Sequence, residues 1–152
     1  MKCLKKLVAV AAVLLAGCVA AFADSSDYED VSVECIGNMT RKEFSKEIDG
    51  LGDAGIKEMV MDYFEDDEAS ITLKKFKLLT PKDVTDEIEE MHMAIEDEIP
   101  SSVKKNDVFA SAVIRDIDLD NYTMDGWFVF SHYLKEDDIY SYIYYFKISV
   151  DF

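Results

Sequence analysis

The chain has 152 residues, a length that suits a single domain. It contains 16 Lys and Arg residues against 32 Asp and Glu residues, which gives a net charge of −16 at pH 7. This excess of negative charge repels nucleic acid and anionic lipid, so the composition argues against a nucleic-acid-binding protein.

Residues 1–23 have the pattern of a secretory signal peptide. Three lysines within the first six residues precede an apolar run, and Ala-Phe-Ala ends at Ala23 before the polar Asp24. A basic start, a short apolar centre and an A-x-A site are typical of such peptides. The sequence therefore predicts export to the periplasm or the exterior, with cleavage between Ala23 and Asp24. Without those three lysines, 13 basic and 32 acidic residues leave a net charge of −19.

The same segment allows a second mode of export. Leu15-Ala16-Gly17-Cys18 resembles the bacterial lipobox, and the resemblance implies a lipid on Cys18, which would become the first residue. The apolar residues after Cys18 favour cleavage after Ala23 instead. Both outcomes place the protein outside the cytoplasm, in contact with a membrane only through its signal or a lipid anchor.

Cys35 is the single cysteine beyond the signal region, so no intramolecular disulfide framework is expected. We expect Cys35 to be a small buried apolar group, with pairing to another molecule as the alternative. Residues 24–30 are predicted to be an acidic flexible lead-in to one α+β domain over residues 31–152. Apolar residues at positions 31, 33 and 35 alternate with polar ones and predict a short, half-buried strand.

Two helices are predicted between residues 40 and 64. Thr40 and Glu43 have the spacing of a capping box at the start of the first helix. Gly50 and Gly52 interrupt the helical pattern, and a second helix begins near Asp53. Its apolar residues recur at the spacing that packs one helix face on a core.

The next segments are predicted to be a strand and a third helix. Residues 71–79 favour a strand with a β-bulge at Lys74-Lys75, although a short helix is the alternative. Thr80-Pro81 then opens a helix whose buried stripe is predicted to extend from Val84 to Ile99.

The last third of the chain predicts three strands, at residues 108–119, 127–134 and 139–152. These segments are rich in β-branched and aromatic residues, and short connections at Asp125-Gly126 and at residues 135–138 favour antiparallel neighbours. The even-numbered residues of the last strand, from Tyr140 to Phe152, are all apolar or aromatic, which predicts an inner strand with one strongly buried face. The fold class is therefore α+β: an antiparallel sheet, made of this meander and one or two earlier strands, with about three helices packed on it.

Apolar residues of the middle strand point to both sides of the predicted sheet, so both faces need cover from helices, a ligand or a partner. Tyrosine combines an apolar ring with a polar tip, which suits recognition of a peptide or a sugar. The candidate partner surface comprises six aromatic residues: Trp127, Tyr133, Tyr140, Tyr142, Tyr144 and Tyr145.

Metal binding is a second possibility that the acidic residues raise. Asp116, Asp118 and Asp120 alternate as the first ligands of a Ca²⁺ loop do, but Trp127 stands where such a loop has its bidentate glutamate. We regard these acids as a solvated strand end first and a Ca²⁺ site second. The acidic residues 65–68 are a similar, weaker candidate, and no other cofactor is expected. His92, His132 and Cys35 lack metal-ligand spacing.

The sequence contains no familiar catalytic signature, and 32 acids make any single carboxylate pair uninformative. We therefore expect an exported, acidic, non-catalytic binding module whose partner is a protein, peptide or glycan. The alternatives are a divalent-cation module built on the acidic loops and a small hydrolase with a carboxylate pair.

Overall fold

The computed structural model of the chain describes residues 28–135 and 138–151. The predicted signal peptide, with Cys18 and Ala23, lies outside this part, and so do Asp24, residues 136–137 and Phe152. Within the described residues, no helix combines the length and the apolar character needed to cross a membrane.

The described chain forms a five-stranded sheet and two α-helices. In chain order the elements are β1 (Asp30–Asn38), α1 (Arg41–Phe64), β2 (Ser70–Leu78), a 3₁₀ turn (Pro81–Asp83), α2 (Asp86–Glu98), β3 (Asp107–Asp118), β4 (Thr123–Lys135) and β5 (Asp138–Asp151). All neighbouring strands are antiparallel, and their order across the sheet is β1-β3-β4-β5-β2. The predicted α+β class and the C-terminal meander are confirmed, and the two earlier strands form the two edges.

The helices cover opposite faces of the sheet. Strand β4 alternates between two cores: Phe128 and Phe130 pack with α1, and Trp127 and Val129 pack with α2. The prediction that both faces need cover is therefore confirmed, and the helices supply it. Even-numbered residues of β5 face α1, as the predicted buried face requires.

The capping box of α1 is confirmed. The Glu43 backbone N–H donates to Thr40 Oγ1 at 3.3 Å, and the Thr40 N–H donates to Glu43 Oε2 at 2.9 Å. The two helices predicted here are one helix with a kink at Gly52, where φ is 62° and ψ is −179°. This conformation is essentially restricted to glycine, so the break needs only one residue and no connecting loop.

The third predicted helix begins later than expected. Asp83 accepts a hydrogen bond from the Thr80 N–H at 2.7 Å and pairs with Lys77 at 2.7 Å, which closes a single 3₁₀ turn after Thr80. Helix α2 starts only at Asp86. Val84, predicted to be buried, is consequently 46% exposed. Ile88, Met91 and Ile95 are buried as predicted, whereas Ile99 is half-buried.

Residues 70–78 form a strand, and its register shifts between Leu73 and Lys75, so the predicted bulge is confirmed. The turn predicted at Asp125-Gly126 is wrong, because both residues lie inside β4. The chain reverses at residues 119–122 instead, where Asp118 Oδ1 accepts the N–H groups of Asp120 and Asn121 at 3.0 and 3.1 Å.

The folded region begins before the predicted boundary at residue 31. Tyr28 is 9% exposed, and its ring meets Trp127 edge-to-face at 6.1 Å. The expectation that Cys35 is buried is wrong: the thiol is exposed on edge strand β1, next to a register shift between Cys35 and Gly37.

Candidate functional site

The six aromatic residues of the predicted partner surface lie on both sides of the sheet. Tyr140, Tyr142 and Tyr144 pack on the α1 side, whereas the other three have the strand parity that faces α2. Trp127 is 2% exposed and Tyr144 is 4% exposed, so these two belong to the cores. The structure therefore does not bring the six together as one surface, and the half-buried members are Tyr133, Tyr140, Tyr142 and Tyr145.

Tyr140 and Tyr142 are the two half-buried members that touch each other. Their ring centroids are 5.4 Å apart in an edge-to-face arrangement. Phe44 of α1 supports both, with ring centroids 6.3 Å from Tyr140 and 5.6 Å from Tyr142. We call Tyr140 and Tyr142 the tyrosine pair.

The tyrosine pair lies on a stretch of β5 with one strand neighbour. Strand β2 pairs with β5 as far as Leu78 opposite Tyr144, and the Leu79 N–H then donates to the Ile143 carbonyl at 2.8 Å. The chain leaves the sheet at the 3₁₀ turn. Among the described strands, residues 139–142 therefore pair with β4 alone.

The backbone of this stretch faces outward at Ser141. Because the Ile143 carbonyl points toward β2, and alternate residues of an antiparallel strand direct their backbone groups to the same side, Ser141 presents its N–H and C=O to the open side. The tyrosine pair thus flanks a short open edge with a hydrogen-bond donor and an acceptor. The even spacing of tyrosines was visible in the sequence, but the open edge depends on where β2 ends.

Two residues beside the pair were missed by sequence reasoning. The Arg41 guanidinium lies 4.6 Å from the Tyr140 ring centroid, and Leu78 is 40% exposed at the end of β2. Arg41 stands in the first turn of α1, where the helix dipole disfavours a cation. That unfavourable placement was the available signal in the sequence.

Two tyrosine hydroxyls in this region have a pKa above the ordinary value of tyrosine. A hydrogen bond with Tyr142, followed by burial, raises the pKa of Tyr140. Burial, together with the charge of nearby Asp53, raises the pKa of Tyr144 to about 12. Neutral phenols donate and accept hydrogen bonds.

His132 lies beneath this region and is fully buried. Its Nε2 is 2.8 Å from the Met39 carbonyl oxygen, and its ring stacks on Phe44 at 5.2 Å. Since a carbonyl only accepts, Nε2 carries the proton and His132 anchors the start of α1 to the sheet. His92 lies on α2, on the opposite face of the sheet, so the two histidines do not converge. Burial lowers the pKa of His92.

A second polar cluster lies on the α2 side. Arg115 occupies the bulge between Ile114 and Asp116, and its guanidinium lies 5.2 Å from the Trp127 ring and 5.6 Å from the Tyr145 ring. It forms an ion pair with Asp125, whose side chain is 11% exposed.

Helix α2 and β5 complete this cluster. Arg115 Nη1 lies 3.5 Å from Glu87 Oε1 of α2, and the Tyr145 hydroxyl donates to Asp125 Oδ2 at 3.3 Å. Partial burial opposes a charged Arg115, but its hydrogen bond to Asp125 and the nearby acids raise its pKa. Arg115 pairs with Glu87 of α2 and with Asp125 of β4, so it links α2 to the sheet. The cluster therefore has a structural role.

The candidate metal ligands do not converge. Asp116 and Asp120 are exposed, and Asp118 holds the β3–β4 turn, where Asn121 Nδ2 donates to its Oδ2 at 2.7 Å. Hydrogen bonds from Asn121 lower the pKa of Asp118. Over residues 28–135 and 138–151, no three His, Cys, Asp or Glu side chains are grouped to hold a metal ion.

No protein-family model, curated protein or solved structure matches the chain. The tyrosine pair and the open edge beside it are therefore identified by geometry alone.

Proposed function

We propose that the chain is an exported, non-catalytic binding module that recognises an extended peptide segment at the tyrosine pair. The observation that carries this proposal is the open edge of β5 at Ser141 between the two tyrosines. An extended peptide adds to such an edge through backbone hydrogen bonds, and pockets for alternate side chains give selectivity.

The surroundings define the preferred peptide. Tyr140, Tyr142 and Leu78 offer partly exposed apolar surface, and Arg41 is a cation beside it. The preferred segment is therefore extended, carries one or two apolar side chains, and has a carboxylate within reach of Arg41. Two or three backbone hydrogen bonds at about 1 kcal/mol each, with two ring contacts of similar size, sum to about 4–5 kcal/mol, which corresponds to dissociation constants close to millimolar.

The peptide proposal is tested by selecting random octapeptides from a displayed library against the exported protein. Ser141→Pro removes the outward N–H, and proline is tolerated at a sheet edge. Ser141→Ala is the matched control, because it removes the hydroxyl bonded to Ser131 and keeps the N–H.

We expect the Ser141→Pro variant to bind selected peptides at least tenfold more weakly and the Ser141→Ala variant to bind them as the wild type does. Arg41→Gln should reduce the binding of acidic peptides only. Equal binding by the Ser141→Pro variant would contradict recognition at the edge. Retention of a glycan but of no peptide would overturn the peptide proposal and leave the tyrosine pair as a sugar site.

Export is a second part of the proposal, and it is supported by the pattern of residues 1–23. Mass spectrometry of the protein from cells measures its first residue. A free Asp24 indicates cleavage after Ala23, and a lipid-modified Cys18 indicates anchoring. An intact Met1 in a cytoplasmic fraction would contradict export.

The cation-binding alternative has no grouped ligands in the described chain to favour it.

A further inference from the structure

The two edges of the sheet have opposite charge. Strand β2 contains Lys74, Lys75 and Lys77, all exposed, and no acidic residue. Strand β1 contains Asp30 and Glu34 and no basic residue, and the exposed Glu29 precedes it. Three of the 13 basic residues beyond the signal region thus lie within four positions of one edge strand.

One acidic residue of the β1 edge lies near the height of a lysine on the β2 edge. Residues that pair directly across the five strands form rows from one edge to the other. One row runs from Asp30 through Ile114, Gly126 and Phe146 to Phe76. The next row runs from Val31 through Val113, Trp127 and Tyr145 to Lys77. Glu29 stands one residue before Asp30, and its N–H donates to the Ile114 carbonyl at 2.9 Å. It therefore lies near the height of Lys75 on the other edge.

The two edge strands also run in the same direction. Each neighbouring pair in the order β1-β3-β4-β5-β2 is antiparallel, so β1 and β2 are parallel to each other. A second copy in the same orientation, shifted sideways across the strands, would therefore place its β1 beside β2 of the first copy. Glu29 of the second copy would then lie near Lys75 of the first. A two-fold arrangement would instead oppose lysines to lysines or acids to acids, which destabilises strand pairs.

The lysines differ in their existing partners. Lys77 Nζ lies 2.7 Å from Asp83 Oδ1, so Lys77 already has an acidic partner. Lys75 pairs directly across the sheet with Lys147, a like charge, and Lys74 lies at the bulge. On its other side Lys147 pairs with Asp125. An acidic side chain on a neighbouring edge would give Lys75 a partner of opposite charge.

We propose that copies of this chain associate head-to-tail, with the acidic β1 edge of one copy against the lysine-bearing β2 edge of the next. Lysines on an edge prevent pairing with a like edge, and here they leave the acidic β1 as the complementary strand. Because each copy carries one edge of each kind, the association is heterologous and builds open arrays or rings. These residues are separate from the tyrosine pair, so the inference does not rest on the proposed peptide binding.

Sedimentation of the exported protein at low ionic strength tests this association. The weight-average mass should rise beyond that of a dimer as the concentration increases. Lys74→Glu with Lys75→Glu should raise the dissociation constant at least tenfold. Lys42→Glu with Lys46→Glu, the same charge change at exposed positions of α1, should leave it unchanged.

A mixing experiment distinguishes the head-to-tail arrangement from a two-fold one. The Lys74→Glu/Lys75→Glu variant keeps an intact β1 edge, and a Glu29→Gln/Asp30→Asn variant keeps an intact β2 edge. Each alone should remain monomeric, and an equimolar mixture should form a dimer that grows no further. Circular dichroism confirms that each variant is folded.

Three sedimentation results would overturn the inference. They are a wild-type mass that stays monomeric at every concentration, dimers of either variant alone, and association that both edge variants leave intact. Binding of heparin to a monomeric wild type at these lysines would likewise overturn it and assign the edge to an anionic glycan. The Ser141→Pro variant should assemble normally, so failure of peptide binding and failure of assembly are separate results.

Discussion

At the scale of single residues, Gly126 permits the close approach of β3 to β4. A Cβ atom at this position would overlap the Val113 carbonyl oxygen and lie 3.0 Å from Ile114 Cα. Both are backbone atoms that cannot rotate away, so β3 would have to move. We expect Gly126→Ala to lower the free energy of unfolding by about 1–3 kcal/mol or more, measured by urea denaturation.

Gly50→Ala is the control for this substitution. Gly50 lies in α1, and a Cβ there meets no atom within 4 Å, so alanine should raise stability by up to about 1 kcal/mol through helix propensity. If both alanine variants change stability by the same amount, the crowding at Gly126 is not what limits substitution there.

The ionisation of Tyr144 makes the free energy of unfolding depend on pH in the alkaline range. Its pKa is raised from 10 to about 12 in the folded protein, first by burial. Below pH 10 the phenol is protonated in both states. Between pH 10 and 12 the unfolded chain loses the proton while the folded chain keeps it, so stability falls as pH rises. We expect this fall to be shallower in a Tyr144→Phe variant, measured by urea denaturation at pH 9, 10 and 11. Parallel profiles for the two proteins would contradict the assignment.

Arg115 and Asp125 should respond unequally to substitution. Arg115→Met leaves the Asp125 carboxylate, 11% exposed, without its cation. Asp125→Asn leaves an Arg115 side chain that is 34% exposed to water and near Glu87. We expect a loss of about 2–4 kcal/mol for Arg115→Met and about 1–2 kcal/mol for Asp125→Asn. In a double-mutant cycle, the combined loss should be smaller than the sum of the two. Additive losses would show that the pair is not coupled.

At the scale of elements, the features predicted correctly depend on neighbours in the chain. The capping box of Thr40 and Glu43, the bulge near Lys74 and the parity of β5 each follow from spacing within a few residues. The start of α2 and the β3–β4 turn were predicted wrongly, although bonds within a few residues hold them too. Asp83 and Asp118 close these turns through hydrogen bonds to residues two or three positions away. Gly126 was interpreted as a turn residue, whereas the close approach of β3 requires it.

The candidate site also has features that the sequence predicts and features that it does not. The sequence placed Tyr140, Tyr142 and Tyr144 on one side of a strand, which the structure confirms. It did not reveal which aromatic residues are accessible, because exposure depends on the ends of α1, α2 and β2. Trp127 is consequently a core residue, and Arg41 was missed as a neighbour of Tyr140.

The kink in α1 allows one helix to contribute two buried faces, with Phe44 and Ile48 before it and Ile56 and Val60 after it. Gly52 has positive φ with extended ψ, a conformation that a Cβ strains by about 1–3 kcal/mol. We expect Gly52→Ala to lose this amount in urea denaturation, whereas Gly50→Ala, two residues away, gains stability. An equal gain at both positions would mean that the helix straightens without disturbing either buried face.

At the scale of the whole molecule, charge has two opposite consequences. A net charge of −19 beyond the predicted signal region is large for one small domain, and its self-repulsion disfavours the compact state. The Debye length falls from about 30 Å at 0.01 M salt to about 8 Å at 0.15 M. Salt should therefore raise the free energy of unfolding of the monomer over this range, measured by urea denaturation at micromolar concentration.

The same salt should weaken the association of the acidic β1 edge with the lysines of β2, because that contact depends on attraction between exposed charges. Stability and assembly should then move in opposite directions in one titration: the urea midpoint rises while the sedimenting mass falls. Potassium chloride should reproduce the effect of sodium chloride, since screening depends on ionic strength and not on the cation. If assembly strengthens with salt, apolar contacts hold the copies together, and the charged edges are not the cause.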